Sequence, residues 1–120
     1  MQESNNVKKT NYGSEITWAD NETYHAKILL FQKKGNKTPF TMHQHTDKTW
    51  FVNSGNFRVR YVNTANGEIF EAELPEGHVW TVNKMTPASL TCISDNGSIT
   101  EVGNGVSQDD TLIVISEKRF

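Results

Sequence analysis

The sequence predicts an all-β domain, and three observations carry the prediction. Its apolar residues fall in short runs rich in β-branched and aromatic side chains. Turn residues (Gly, Asn, Asp, Pro) punctuate these runs, so that strands recur about every ten residues. No stretch shows the 3.6-residue periodicity of an amphipathic helix. Many short strands at that spacing indicate a sandwich or a closed barrel.

The elements follow in order. "EITWA" is a first strand, with Ile16 and Trp18 expected on one face. "YHAKILLFQKK" is a long second strand, stopped by "KGNK". "FTMHQH" follows, then "TWFVN", which ends at Ser54-Gly55-Asn56. "FRVRYVN" meets "GEIFEAEL" across "TANG", whose Asn66-Gly67 pair suits the left-handed backbone of a hairpin loop. Pro75-Glu76-Gly77 is a further turn. "VWTV", "SLTCIS", "SITEV" and "TLIVIS" complete the set, with "SDNGS" as a second hairpin loop. The polar start, "MQESNNVKKTNYGSE", reads as a mobile tail over residues 1–13, and residues 14–120 as one domain.

The 120 residues suffice for one core. Three Trp, three Tyr and six Phe supply much of its area. A net charge of −2 with both signs interspersed gives no reason to expect nucleic acid or a membrane surface as partner. No run approaches the ~18 apolar residues of a membrane helix, and the start lacks the apolar centre of a signal peptide. The expected location is the cytoplasm. A single cysteine, Cys92, excludes an internal disulfide and reads as a buried thiol in a strand.

Candidate chemistry begins at His43 and His45. Side chains of a strand alternate, so the two imidazoles would share a face and reach one ion. Zn²⁺, Ni²⁺, Cu²⁺ and Fe²⁺ suit such nitrogen ligands, but a working site needs a third protein ligand. The plain reading is two unrelated histidines.

The surrounding residues resemble a known family. "HQHTDKTWFVNSGNFRV" resembles the first motif of the small cupins: His-x-His, a short spacer, Glu, six residues, Gly. "LPEGHVWTVNKMTPASL" resembles the second, Leu-x-Glu-Gly-Asp-x-Trp-His-x-Pro-Pro-x-x-Pro-His-x-Leu. The likeness covers roughly residues 15 to 116 and is nearest in flavour to the C-terminal cupin domain of mannose-6-phosphate isomerases. It implies a double-stranded β-helix (jelly-roll) barrel, a homodimer, and one divalent metal in the barrel mouth. His43 and His45 match the two histidine ligands. The family's glutamate falls on Lys48, and its last histidine on Ala88. Thr81 stands for the histidine after the tryptophan, Asn83-Lys84 for the proline pair, and His78 for the aspartate after the turn glycine.

Repair of the site from other residues is limited. An ammonium has no lone pair for a metal, so Lys48 cannot replace a carboxylate. Pointed inward, it would take over part of the metal's positive charge and bind a carboxylate or phosphate; pointed outward, it would be solvated. Asp47 shares strand parity with His43 and His45 and could complete a two-His, one-carboxylate set if the strand ran on. His25 and His78 read as surface histidines. Arg58 and Arg60 would form an anion site inside the barrel. Outside, they would pair with Glu68, Glu71 or Glu73. The outer reading is favoured, because Phe57, Val59 and Tyr61 form the core face of that strand. Trp50, Phe51, Tyr61 and Trp80 line either a pocket or the core. Asp109 and Asp110, in "SQDDT", read as a turn or cap pair.

The expected function is therefore binding of a small polar or anionic ligand, of sugar or sugar-phosphate type, through Lys48, Trp50, Tyr61 and Trp80. Any metal (Zn, Ni or Fe) would be held weakly by His43 and His45, with Asp47 as the one candidate third ligand. The alternatives are a metal-dependent isomerase, epimerase or lyase with a nonstandard third ligand, and a barrel filled by its own side chains.

Overall fold

A computed structural model describes residues 6–104, and 111–115 as a strand. The described residues form eleven strands: β1 (Val7–Lys9), β2 (Gly13–Asp20), β3 (Tyr24–Phe31), β4 (Phe40–His43), β5 (Lys48–Ser54), β6 (Phe57–Val62), β7 (Ile69–Leu74), β8 (Val79–Val82), β9 (Ala88–Cys92), β10 (Gly97–Asn104) and β11 (Thr111–Ile115). They build two antiparallel sheets, ordered β1-β2-β3-β10-β5-β8 and β11-β4-β9-β6-β7. Chain neighbours β4 and β5 lie in different sheets, so the chain crosses between layers there. No helix among the described residues is long and apolar enough to cross a membrane.

The sheets close on one core. Leu29, Phe31, Trp50, Val52, Val82 and Ile99 from the first meet Phe57, Val59, Leu74, Ala88, Leu90 and Cys92 from the second. Period-two alternation produces this: Phe57 and Val59 are fully buried while Arg58 and Arg60, which alternate with them, are not. Gly55, at φ +83°, turns the chain between β5 and β6, and a side chain there would strike the Asn96 carbonyl.

Three expectations about elements are corrected. The hairpin begins inside the expected tail: Val7–Lys9 pair with Ser14–Ile16, and Tyr12 is buried, stacked on Phe31 at 4.5 Å between ring centroids. One aromatic anchor orders a segment whose composition is otherwise polar. Residues 1–5 of that tail lie outside the described residues, as do Asp109 and Asp110. A register shift between Thr17 and Ala19 breaks the alternation of β2 expected to set Ile16 and Trp18 on one face, and Trp18 is exposed. The third correction is that β4 stops at His43.

Candidate functional site

That stop decides the histidine pair. His43 is the last residue of β4 and is buried, whereas His45 follows in a bend and is exposed. The alternation that would place both rings on one ion does not extend to His45. The end of β4 is held from outside its sheet, by the Met85 N–H donating to the His43 carbonyl at 2.7 Å. Asp47 does not complete a ligand set either. Its Oδ1 accepts the Lys84 N–H at 2.6 Å, and its backbone N–H donates to Asn104 Oδ1 at 2.8 Å. It ties two loops together before β5 begins.

Lys48 points inward. It is buried, and its Nζ lies 2.9 Å from His43 Nε2 and 3.7 Å from Glu101 Oε1. The ammonium also lies over the Trp50 ring, 5.0 Å from its centroid. Burial depresses its pKa from the usual lysine value, against the opposing pull of Glu101.

Glu101 is the residue that sequence reading missed. It is buried on β10, directly opposite Lys27 of β3 and Trp50 of β5. Its Oε1 accepts the Trp50 Nε1–H at 2.8 Å, and its Oε2 lies 3.0 Å from His25 Nε2. Lys27 Nζ stands 3.9 Å from Oε2 and bridges to Glu15 at 3.2 Å. Burial alone would raise the pKa of this carboxyl. Lys48, His25, Lys27 and Trp50 together outweigh it and hold Glu101 ionised, well below the usual carboxylate range. Two lysines and two glutamates thus meet in one cluster, Lys48 and Glu101 buried and Lys27 and Glu15 partly exposed.

The backbone makes room for it. Gly103 is the register partner of both His25 and Lys48. A side chain at 103 would collide with the His25 ring. With none there, His25 and Lys48 both lean toward Glu101, two residues away along β10. His25, expected at the surface, is therefore a buried partner of Glu101. Its parity was available in the sequence: His25 and Lys27 share a face with Leu29 and Phe31. The opposite face of β3, with Ala26, Ile28 and Leu30, is as apolar, which hid the choice. For Glu101 the signal was parity with Ile99.

Lys48, Glu101, Lys27, Glu15, Trp50 and His43 line a cavity of about 140 Å³, together with Tyr12, Thr38, Pro39 and Thr41. Tyr12 donates to Glu15 Oε2 at 2.5 Å; burial, then that carboxylate, raise its pKa and keep it a hydroxyl. The four expected ligand residues do not share one pocket. Lys48 and Trp50 line this cavity, while Tyr61 and Trp80, 5.1 Å apart, line a separate groove of about 470 Å³ with Phe70, Asn63 and Asn83. Arg58 and Arg60 face outward, as expected, and pair across the hairpin with Glu73 and Glu71 at 3.7 and 3.0 Å. His78 is exposed and Cys92 is buried.

A divalent metal held in the usual way does not fit this donor set. A lysine Nζ lies at hydrogen-bond distance from the one buried histidine of the motif, where a cation would have to bind. Ala88 offers no ligand atom. Among the described residues, no group of three or more His, Cys, Asp or Glu could hold a metal ion.

No protein-family model and no curated protein matches the chain. Solved structures do. The capsular polysaccharide assembling protein CapF from Staphylococcus aureus is 14% identical, with a TM-score of 0.80 over 92% of this chain and 31% of that one. Oxalate decarboxylase from Bacillus subtilis is 15% identical, with a TM-score of 0.75 over 90% of this chain and 29% of that one. KdgF from Halomonas sp. is 17% identical, with a TM-score of 0.68 over 80% of this chain and 81% of that one. The chain thus spans about a third of CapF and of the decarboxylase but most of KdgF. At these identities the likeness shows the fold alone. The finer likeness to isomerase domains rests on the sequence motifs.

Proposed function

We propose that this chain, a jelly-roll barrel of the cupin fold, binds a small anionic ligand in the cavity flanked by Lys48 and Lys27, without a metal. One observation carries the reading: the residue at the family's carboxylate-ligand position is a buried lysine whose Nζ lies 2.9 Å from His43 Nε2. The positive charge of the missing ion is supplied by the protein itself. An ammonium has three donors, and one of them is directed at His43. Glu101 lies 3.7 Å from Lys48, beyond hydrogen-bond length, and has Trp50 and His25 as closer partners. Donor capacity therefore remains for a ligand carboxylate or phosphate.

Size narrows the class. At roughly 30 Å³ per water, a cavity of about 140 Å³ holds only a few heavy atoms. A whole sugar phosphate exceeds it; the acid group of one would enter while the sugar stayed outside. The fit favours small carboxylates over the larger ligands expected from the family.

Two measurements test the reading. Protein purified without a metal-affinity step, then incubated with excess Zn²⁺ or Ni²⁺ and desalted, is expected to retain far less than one metal per chain. A stoichiometric ion lost in His43→Ala would overturn it. A melting screen of small carboxylates and phosphate is expected to raise Tm in the wild type and to lose that shift in Lys48→Met. A flat screen would favour a barrel filled by its own side chains.

A further inference from the structure

We infer that Lys48 is an imine-forming amine, and that the ligand of this cavity is a small carbonyl compound bearing an acid group, captured at its carbonyl carbon. The inference rests on the anion-binding reading of the same cavity and adds covalent chemistry to it.

The geometry has the parts an amine nucleophile needs. Lys48 Nζ opens on the cavity and is buried over the Trp50 ring, which keeps bulk water from it. A proton acceptor, His43 Nε2, lies 2.9 Å away. The exposed lysines of the chain, such as Lys33 and Lys34, have neither the burial nor such a partner in a cavity. Lys27, on the far side of Glu101, supplies a second cation for the acid group of the ligand.

The steps balance. The Lys48 ammonium gives one proton to His43 Nε2. Its freed electron pair adds to the carbonyl carbon, the C=O π pair moves to oxygen, and that oxygen takes the proton back from the imidazolium. The carbinolamine nitrogen then passes its second proton through His43 to the hydroxyl. The C–O bond breaks, and water leaves. The product is a protonated imine, so one ammonium and one carbonyl give one iminium and one water, with no oxidant or reductant. The positive charge passes to the His43 imidazolium and returns, so that it begins and ends on Nζ, which in the free lysine lies 3.7 Å from Glu101. The cluster therefore needs no new counter-charge as the bond forms.

Glyoxylate and pyruvate are the probes, with glycolate and lactate as their hydroxy counterparts. The full chain is incubated with each in the presence of sodium cyanoborohydride, then examined by intact mass and peptide mapping. The expected result is a single adduct per chain at Lys48 with the carbonyl acids and none with the hydroxy acids. Lys48→Arg cannot form an imine and should lose the adduct, with its melting curve as the check that it is folded. His43→Gln should keep the fold, checked by its melting curve, and slow adduct formation at least tenfold. If pyruvate and lactate stabilise the wild type alike and no adduct forms, the imine is overturned and anion binding survives. If neither stabilises and no adduct forms, both fall. Adducts spread over surface lysines in preference to Lys48 also overturn the inference.

Discussion

At the scale of single residues, the molecule turns on Glu101. It is buried and satisfied by Trp50, His25, Lys27 and Lys48, so its removal strands several donors at once. Breaking a buried ionic set by deleting one partner typically costs about 3 kcal/mol or more. Glu101→Ala should lower stability to urea by that order, beyond what loss of a surface glutamate causes. The pH dependence follows from its depressed pKa. The titratable groups facing it are His25 and Lys27 on β3 and Lys48 on β5, with Glu15 on β2 behind Lys27. An unfolded glutamate titrates near 4.5, and the folded one lower. The stabilisation is therefore complete above pH 4.5 and is lost as pH falls through the folded value. Urea unfolding between pH 6 and pH 2 should fall more steeply in the wild type than in Glu101→Gln. Equal slopes would mean that Glu101 is not held ionised.

At the scale of elements, legibility depended on how one-sided each strand is. β6 was read correctly because only one parity is apolar: Phe57, Val59 and Tyr61 pack inward, and Arg58 and Arg60 meet Glu73 and Glu71 across the hairpin. β3 has apolar residues on both faces, so the inward side of His25 and Lys27 could not be chosen without its neighbours. The alternation expected to carry His45 beside His43 stops at an end of an element, where local pattern is weakest. The motif still located Lys48, because turn glycine Gly55 fixed the count along β5. What no pattern held was the gap at Gly103, which matters only once β3, β10 and β5 lie side by side. The β6–β7 hairpin offers a check at this scale. Arg60 and Glu71 are direct register partners with Nε and Oε2 3.0 Å apart, on a half-exposed face. Such pairs couple by about 0.5 kcal/mol and weaken with salt. A double-mutant cycle of Arg60→Gln and Glu71→Gln should give a coupling of that size at low ionic strength and less at 1 M salt, measured by urea unfolding. The cycle removes the separate contribution of Arg60 packed over Phe40.

At the scale of the whole molecule, the six-stranded sheet carries exposed apolar side chains on its outer face. Phe51 is 42% exposed, Val79 56% and Val102 42%. Register makes them neighbours: Phe51 opposes Val79 on β8, and Thr100 opposes Phe51 on β10, which sets Val102 one diagonal step away. Contiguous exposed apolar groups of this kind mark association surfaces. We propose that this face seats the homodimer expected from the sequence resemblance. A two-fold contact would set each patch on its copy, the self-complementary arrangement of closed dimers. The outermost strands of the described sheets, β1, β8, β7 and β11, offer a different route, by strand addition, and the two can be separated. Light scattering after size exclusion should give twice the chain mass for the wild type and one chain mass for a Phe51→Glu, Val102→Glu variant. Neither substitution touches an edge hydrogen bond. Both point away from the core, so the variant should keep the wild-type fold, read by its far-ultraviolet spectrum. A wild type that runs as a monomer at high micromolar concentration would remove the proposal. A variant that stays dimeric would move the interface from this face to an edge.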